Sequence, residues 1–161
     1  MIRDARDDDA AGLIELIGNA YSEYPGCVLD VDREEPDLRA IASVFARKGG
    51  GFWVVIEQRR NLLVGSVGWL PSAAYPGWVD LRKLYVAKAF RRRGIASELC
   101  ARVEQLAQTR GALGISLWSD TRFVEAHQFY RLRGYAQEAE TRDLHDLSNT
   151  TEYRFTKSFR E

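Results

Sequence analysis

The sequence predicts an α/β fold with one mixed sheet, and three observations lead there. Apolar residues switch along the chain between helical spacing and short strand-like runs, in the order strand, two helices, three strands, helix, strand, helix, two strands. A chain of 161 residues is enough for one substantial core and too little for two, so residues 1–161 are expected to form a single domain. At the centre of the order, Asp80 to Val86 reads as an extended segment. It runs through a basic turn, Lys88 to Arg93, into an amphipathic helix that begins near Gly94.

Ile2 to Asp4 suits a short first strand. Asp7, Asp8 and Asp9 follow, and their carboxylates favour the positive end of a helix whose buried face is Leu13, Ile14, Leu16, Ile17 and Ala20. Tyr24-Pro25-Gly26 stops it. The acidic stretch Cys27 to Glu35 has no regular period, and Pro36 opens a second helix with Leu38, Ile41, Ala42 and Phe45 inward. Gly49 to Gly51 closes that helix; because the three glycines precede a strand, an exit turn is favoured over a phosphate cradle.

Phe52 to Ile56 and Leu62 to Leu70 form a hairpin about the polar turn Arg59-Arg60-Asn61, and Gly65 and Gly68 mark close packing against the second strand. Pro71 to Gly77 is a loop, and Trp78 to Val86 is the next strand. The helix after Gly94 turns Ile95, Leu99, Cys100, Val103, Leu106 and Ala107 to the core and Arg102, Glu104 and Gln105 outward. Leu113 to Trp118 is a strand and Arg122 to Arg133 a helix ended by Gly134. Tyr135 to Glu140 and Glu152 to Phe159 are the last two strands.

Composition narrows the function. Lysine plus arginine and aspartate plus glutamate number 23 each, and a zero net charge disfavours a generic nucleic-acid binder. Cys27 and Cys100 stand far apart with no CxxC partner and are expected as free thiols, and with His127 and His145 the only histidines no metal site is expected. No apolar stretch is long enough to cross a bilayer and the N-terminus lacks the apolar centre of a secretion signal, so a cytoplasmic address is expected.

The most informative chemistry lies in the turn. A helix start leaves backbone N–H groups unpaired at the positive end of the peptide dipoles, which suits an anion and most simply a phosphate. Arg91-Arg-Arg-Gly-Ile-Ala96 adds charge, a glycine that permits close approach and a small residue in the first helical turn.

With these residues in place the chain resembles the GNAT superfamily of N-acetyltransferases over nearly its whole length. Leu84 to Ser97 is similar to the family's acetyl-CoA pyrophosphate motif. Asp120 to Tyr135 is similar to its later motif, with Ala126, Tyr130 and Gly134-Tyr135 in place but without the asparagine often found ahead of the alanine. The resemblance implies a three-layer fold whose mixed, mostly antiparallel sheet is splayed between the strand ending at Val86 and the strand around Leu117, with acetyl-CoA as cosubstrate in the gap. It implies that backbone groups of Leu84 and Val86 hold the pantetheine arm, and that Arg91, Arg92, Arg93, Gly94, Ile95, Ala96 and Ser97 surround the pyrophosphate.

The implied reaction is attack of a neutral amine on the thioester carbonyl with loss of the coenzyme A thiolate. Tyr130 is the implied proton donor to that thiolate, against the plainer reading of a core aromatic sharing a face with Phe123 and Ala126. Asp80 and Asp120, one on each side of the expected gap, are the candidate bases; Asp120 equally suits a helix cap. Glu57 can reach the same cleft from the neighbouring strand, while Glu125 and His127 are expected toward solvent. Tyr21, Tyr24, Asp30 and Asp32 are candidates for the acceptor wall, with His145 in the last loop.

Two other classes stay open. A noncatalytic acyl-CoA-binding or sensing module would keep the turn and lack a competent base. An RNA-associated protein would use Lys88, Arg91, Arg92 and Arg93, although one anionic cofactor can occupy all four. Among acceptors a small amine or amino acid is expected first, with a protein substrate and a homodimer left open.

Overall fold

The computed structural model describes residues 1–160. Seven strands form one sheet: β1 (Ile2–Asp4), β2 (Gly51–Glu57), β3 (Leu62–Pro71), β4 (Val79–Val86), β5 (Gly114–Asp120), β6 (Ala136–Asp143) and β7 (Thr151–Ser158), in the spatial order β1-β2-β3-β4-β5-β7-β6. Neighbours are antiparallel except β4 and β5, which run parallel. The helices are α1 (Ala10–Ser22), α2 (Val31–Glu34), α3 (Ile41–Arg47), α4 (Ile95–Thr109) and α5 (Val124–Leu132). The order of elements and the mixed sheet match the sequence expectation.

Strand alternation sorts the core into two clusters and so produces three layers. Phe52, Val54 and Ile56 of β2 face Leu13 and Ile17 of α1 and Ile41 and Phe45 of α3. Val55, on the other side of the same strand, packs with Leu81 of β4, Leu99 and Val103 of α4, and Tyr130 of α5. Gly68 lets the first cluster close: a Cβ there would lie 2.5 Å from the Phe52 ring and 2.7 Å from the Phe45 ring.

Four local expectations are corrected. The stretch after Cys27 holds the short helix α2, begun by Asp30, whose side chain accepts from the Arg33 amide at 3.1 Å. The helix expected from Pro36 is a 3-10 turn, Pro36–Ala40, before α3. Glu104 is buried, because Arg133 and Lys157 converge on it and the Tyr135 hydroxyl donates to it at 3.0 Å. Burial alone raises its pKa, but these hydrogen bonds outweigh that and leave it below the ordinary carboxylate range. His127 is buried as well; its Nε2 lies 2.9 Å from the Asp120 carbonyl oxygen and 3.2 Å from Ser119 Oγ, and desolvation lowers its pKa.

Candidate active site

β4 and β5 pair only at Val79 with Ile115 and Asp80 with Ser116. Beyond those two rungs the strands have no further pairing, and two cavities adjoin the gap. One, of about 510 Å³, lies against the start of α4 and the side of α5. The other, of about 700 Å³, lies under the segment after α1, the loop before β4 and the loop between β6 and β7. Leu84, Tyr85, Phe123, Ala126 and Tyr130 line both, so the two cavities meet at the mouth of the splay.

A bulge in β4 sits at that junction. Gly68 pairs with Arg82 and Ser66 with Tyr85, so Lys83 and Leu84 together oppose Val67. Lys83 adopts φ +52°, a left-handed conformation unusual for a lysine, and its carbonyl accepts from Ser66 Oγ at 2.8 Å. The bulge takes Leu84 out of the ladder beside Tyr130. Sequence reasoning missed it, because nothing local in Arg82-Lys83-Leu84 signals a positive φ.

The smaller cavity contains the turn residues. Gly94 takes φ +81° at the N-cap of α4, a Cβ there would meet nothing within 4 Å, and Ile95, Ala96 and Ser97 present the first helical turn to the cavity. Their amides have no main-chain partner among the described residues, the first such bond of the helix running from Glu98 to the Gly94 carbonyl at 3.0 Å. A cradle of free amides beside open space fits a diphosphate.

The three arginines diverge in role. Arg92 lines the cavity at φ +62°. Arg91 also lines it, but its guanidinium is held by both oxygens of Glu23 at 2.7 and 2.6 Å and its Nε donates to the Val86 carbonyl at 3.0 Å, tying the end of α1 to the turn. Arg93 packs over Phe90, 5.0 Å from the ring centre, and is not among the lining residues.

Gly94→Ala tests the cradle. No side chain obstructs the new methyl, so the cost to folding should be limited to the left-handed backbone, about 1 to 2 kcal/mol. The methyl projects into the open space, and titration with coenzyme A should show affinity reduced about tenfold or more, some 1.4 kcal/mol per decade. Unchanged affinity would place the phosphates elsewhere.

Tyr130 projects from α5 into the junction with its ring held by Phe129, Tyr135 and Phe155 at centroid distances of 5.6, 5.7 and 5.5 Å. Burial pushes its phenol pKa well up, so it stays protonated throughout the neutral range. Both readings of this residue meet here, since its ring is core and it also lines both cavities.

Both candidate carboxylates line the larger cavity, in different states. Asp120 is buried and gripped by its own turn: Oδ1 accepts from the Arg122 amide at 2.9 Å and Arg122 Nε at 3.0 Å, and Oδ2 from Arg122 Nη2 at 2.9 Å. Asp80 is partly exposed and accepts from Ser116 Oγ at 2.7 Å. Glu57 lies away from both cavities, its carboxylate accepting from the Arg59 and Arg60 amides at 3.3 and 2.9 Å. Glu125 is exposed and lines the smaller cavity.

Of the expected acceptor wall, Tyr21 and Asp30 line the larger cavity and Tyr24 the smaller, where it stacks on Phe123 at 4.8 Å. Asp32 points to Arg39 at 3.0 Å, and His145 is exposed while its neighbours Leu144 and Asp146 line the wall. The structure adds Glu35, ion-paired with Lys83, and the arginines Arg142 and Arg154. Among the described residues no group of His, Cys, Asp and Glu is placed to hold a metal, and no helix is long and apolar enough to cross a membrane.

Known proteins share this fold. A solved acetyltransferase of the GNAT family from Staphylococcus aureus Mu50 superposes with a TM-score of 0.83 at 22% identity, covering 99% of each chain. The PaiA N-acetyltransferase from Thermoplasma acidophilum, solved in complex with coenzyme A, superposes with a TM-score of 0.73 at 17% identity, covering 99% of this chain and 98% of that one. In sequence, an N-acetylaspartate synthetase from Danio rerio is 29% identical over 120 residues, which are 74% of this chain and 40% of that protein. The model of the acetyltransferase (GNAT) family matches residues 13–135. The chain belongs to that family.

Proposed function

We propose that this protein is an acetyl-CoA-dependent N-acetyltransferase whose acceptor is the primary amine of a small molecule or amino acid. The observation that carries the reading is the single splayed gap, in which a cradle for phosphate and a polar acceptor cavity meet at Leu84, Tyr85 and Tyr130. The name of the Danio rerio relative is consistent with an amino-acid acceptor.

Acetyl-CoA supplies a thioester whose carbonyl carbon forms the new C–N bond as its C–S bond breaks. The α4 amides and Arg92 bind the diphosphate, and the bulge at Lys83 aims the Leu84 backbone at the junction. Asp80 takes the proton that the amine must lose before or during attack, since of the two candidate carboxylates, Asp80 and Asp120, it is the one without an ionic partner among the described residues. Asp120 serves the architecture by holding Arg122. Tyr130 gives its proton to the departing sulfur and is restored by the second proton that the nitrogen sheds as the amide forms, so the net release is the one proton held by Asp80.

A panel of primary amines, followed by acetyl-CoA-dependent release of free thiol and by product mass, tests the reading. An increase of 42 mass units in an acceptor, about the mass of an acetyl group replacing hydrogen, is the expected result. Coenzyme A binding without acceptor-dependent thiol release would make the protein a sensor instead.

A further inference from the structure

One cation in the acceptor cavity is left without adequate compensation. The Arg154 side chain is 5% exposed, and its ionic partner Glu140, at 3.2 Å, is itself 54% exposed. A carboxylate so well solvated offsets a buried charge poorly. The guanidinium carries five N–H groups. One is given to Glu140 and one to Ser116 Oγ at 3.2 Å, while the buried Nε has no partner. Its carbon lies over the Tyr75 ring at 4.2 Å and the Trp118 ring at 4.7 Å, so its faces are occupied and its donor edge remains. Neighbouring Arg142, also over Trp118, is neutralised by Glu152 at 2.7 Å.

Ser116 joins this cation to the proposed base. It donates to Asp80 and accepts from Arg154, so a carboxylate and an under-compensated guanidinium stand two hydrogen bonds apart on the floor of one cavity. An amine alone would satisfy the first and leave the second. A molecule bearing ammonium and carboxylate on one carbon satisfies both.

We propose that Arg154 receives the carboxylate of the acceptor, which makes the acceptor an α-amino acid bound with its amine toward Asp80. This rests on the acetyltransferase reading and specifies its acceptor.

The test compares the standard L-amino acids, each beside its α-carboxamide, in two measurements. Acetyl transfer is followed by thiol release, and binding to the coenzyme A-saturated protein by thermal shift. The wild type should prefer at least one acid over its amide by about a hundredfold in kcat/KM, the order expected for a buried charged hydrogen bond. Arg154→Gln should abolish most of that preference, by lowering the rate on the acid while leaving the rate on the amide and the KM for acetyl-CoA nearly unchanged.

Glu140→Gln removes the ion pair without touching the cavity and should retain the preference. If it behaves like Arg154→Gln, or if acids and amides are treated alike, the arginine only holds β6 and the inference is overturned. Carboxylate-dependent binding lost in Arg154→Gln, with no transfer to any acceptor, would support the receptor role while overturning the assignment as an enzyme.

Discussion

Tyr130→Phe should lower kcat about a hundredfold, the scale of one positioned acid, while leaving the KM for acetyl-CoA within about twofold. The substitution removes a single oxygen. The ring contacts to Phe129, Tyr135 and Phe155 persist, so the fold and the binding cavity should survive and thermal denaturation should report little change. The expected loss is confined to the step in which sulfur departs. Since burial raises the phenol pKa, this group stays protonated from neutrality up to about pH 10 and should add no alkaline limb to the wild-type rate below that value. An acceptor turned over by Tyr130→Phe at the wild-type rate would reduce Tyr130 to packing.

Asp80→Asn is the second large effect. The amide oxygen can keep accepting from Ser116, so the floor of the cavity should hold its shape while losing its proton acceptor. At neutral pH kcat/KM should fall about a hundredfold, and the deficit should shrink as pH rises toward the pKa of the acceptor amine, because more of the amine is then already neutral. Asp120→Asn should behave differently. It leaves Arg122 without its two-pronged partner in a buried turn, so the change should appear as a lower Tm with no comparable pH-dependent deficit. If Asp120→Asn instead shows the pH-dependent deficit and Asp80→Asn does not, the base has been assigned to the wrong strand.

These two aspartates mark where sequence reading runs out. Both are followed in sequence by an arginine within two positions, Arg82 after Asp80 and Arg122 after Asp120, so composition near them is alike. In the sheet, Asp80 and Arg82 stay apart, whereas the tight turn after β5 folds Arg122 back onto Asp120. Glu57 shows the same limit. At the end of a buried strand it can be drawn reaching a cleft, yet the adjacent turn offers two free amides and captures it. His127 and Glu104, expected at the surface, were buried by partners contributed from other elements.

By itself the sequence determined the layers and the shape of the turn proposed to hold the acetyl donor. The layers follow from apolar period, which each segment carries alone, and the cradle follows from contiguous residues, Arg91 to Ser97, whose amides are oriented by one turn and one helix. Only the tertiary structure decided the larger cavity, the proposed acceptor half. Its walls come from the end of α1, the segment around α2, the loop before β4 and the strands β5 to β7, and the state of each charge there depends on which distant side chain meets it. Arg154 lies 38 residues from Ser116 in the chain and one hydrogen bond away in space, and the role proposed for it rests on that closeness and on the partner its Nε lacks.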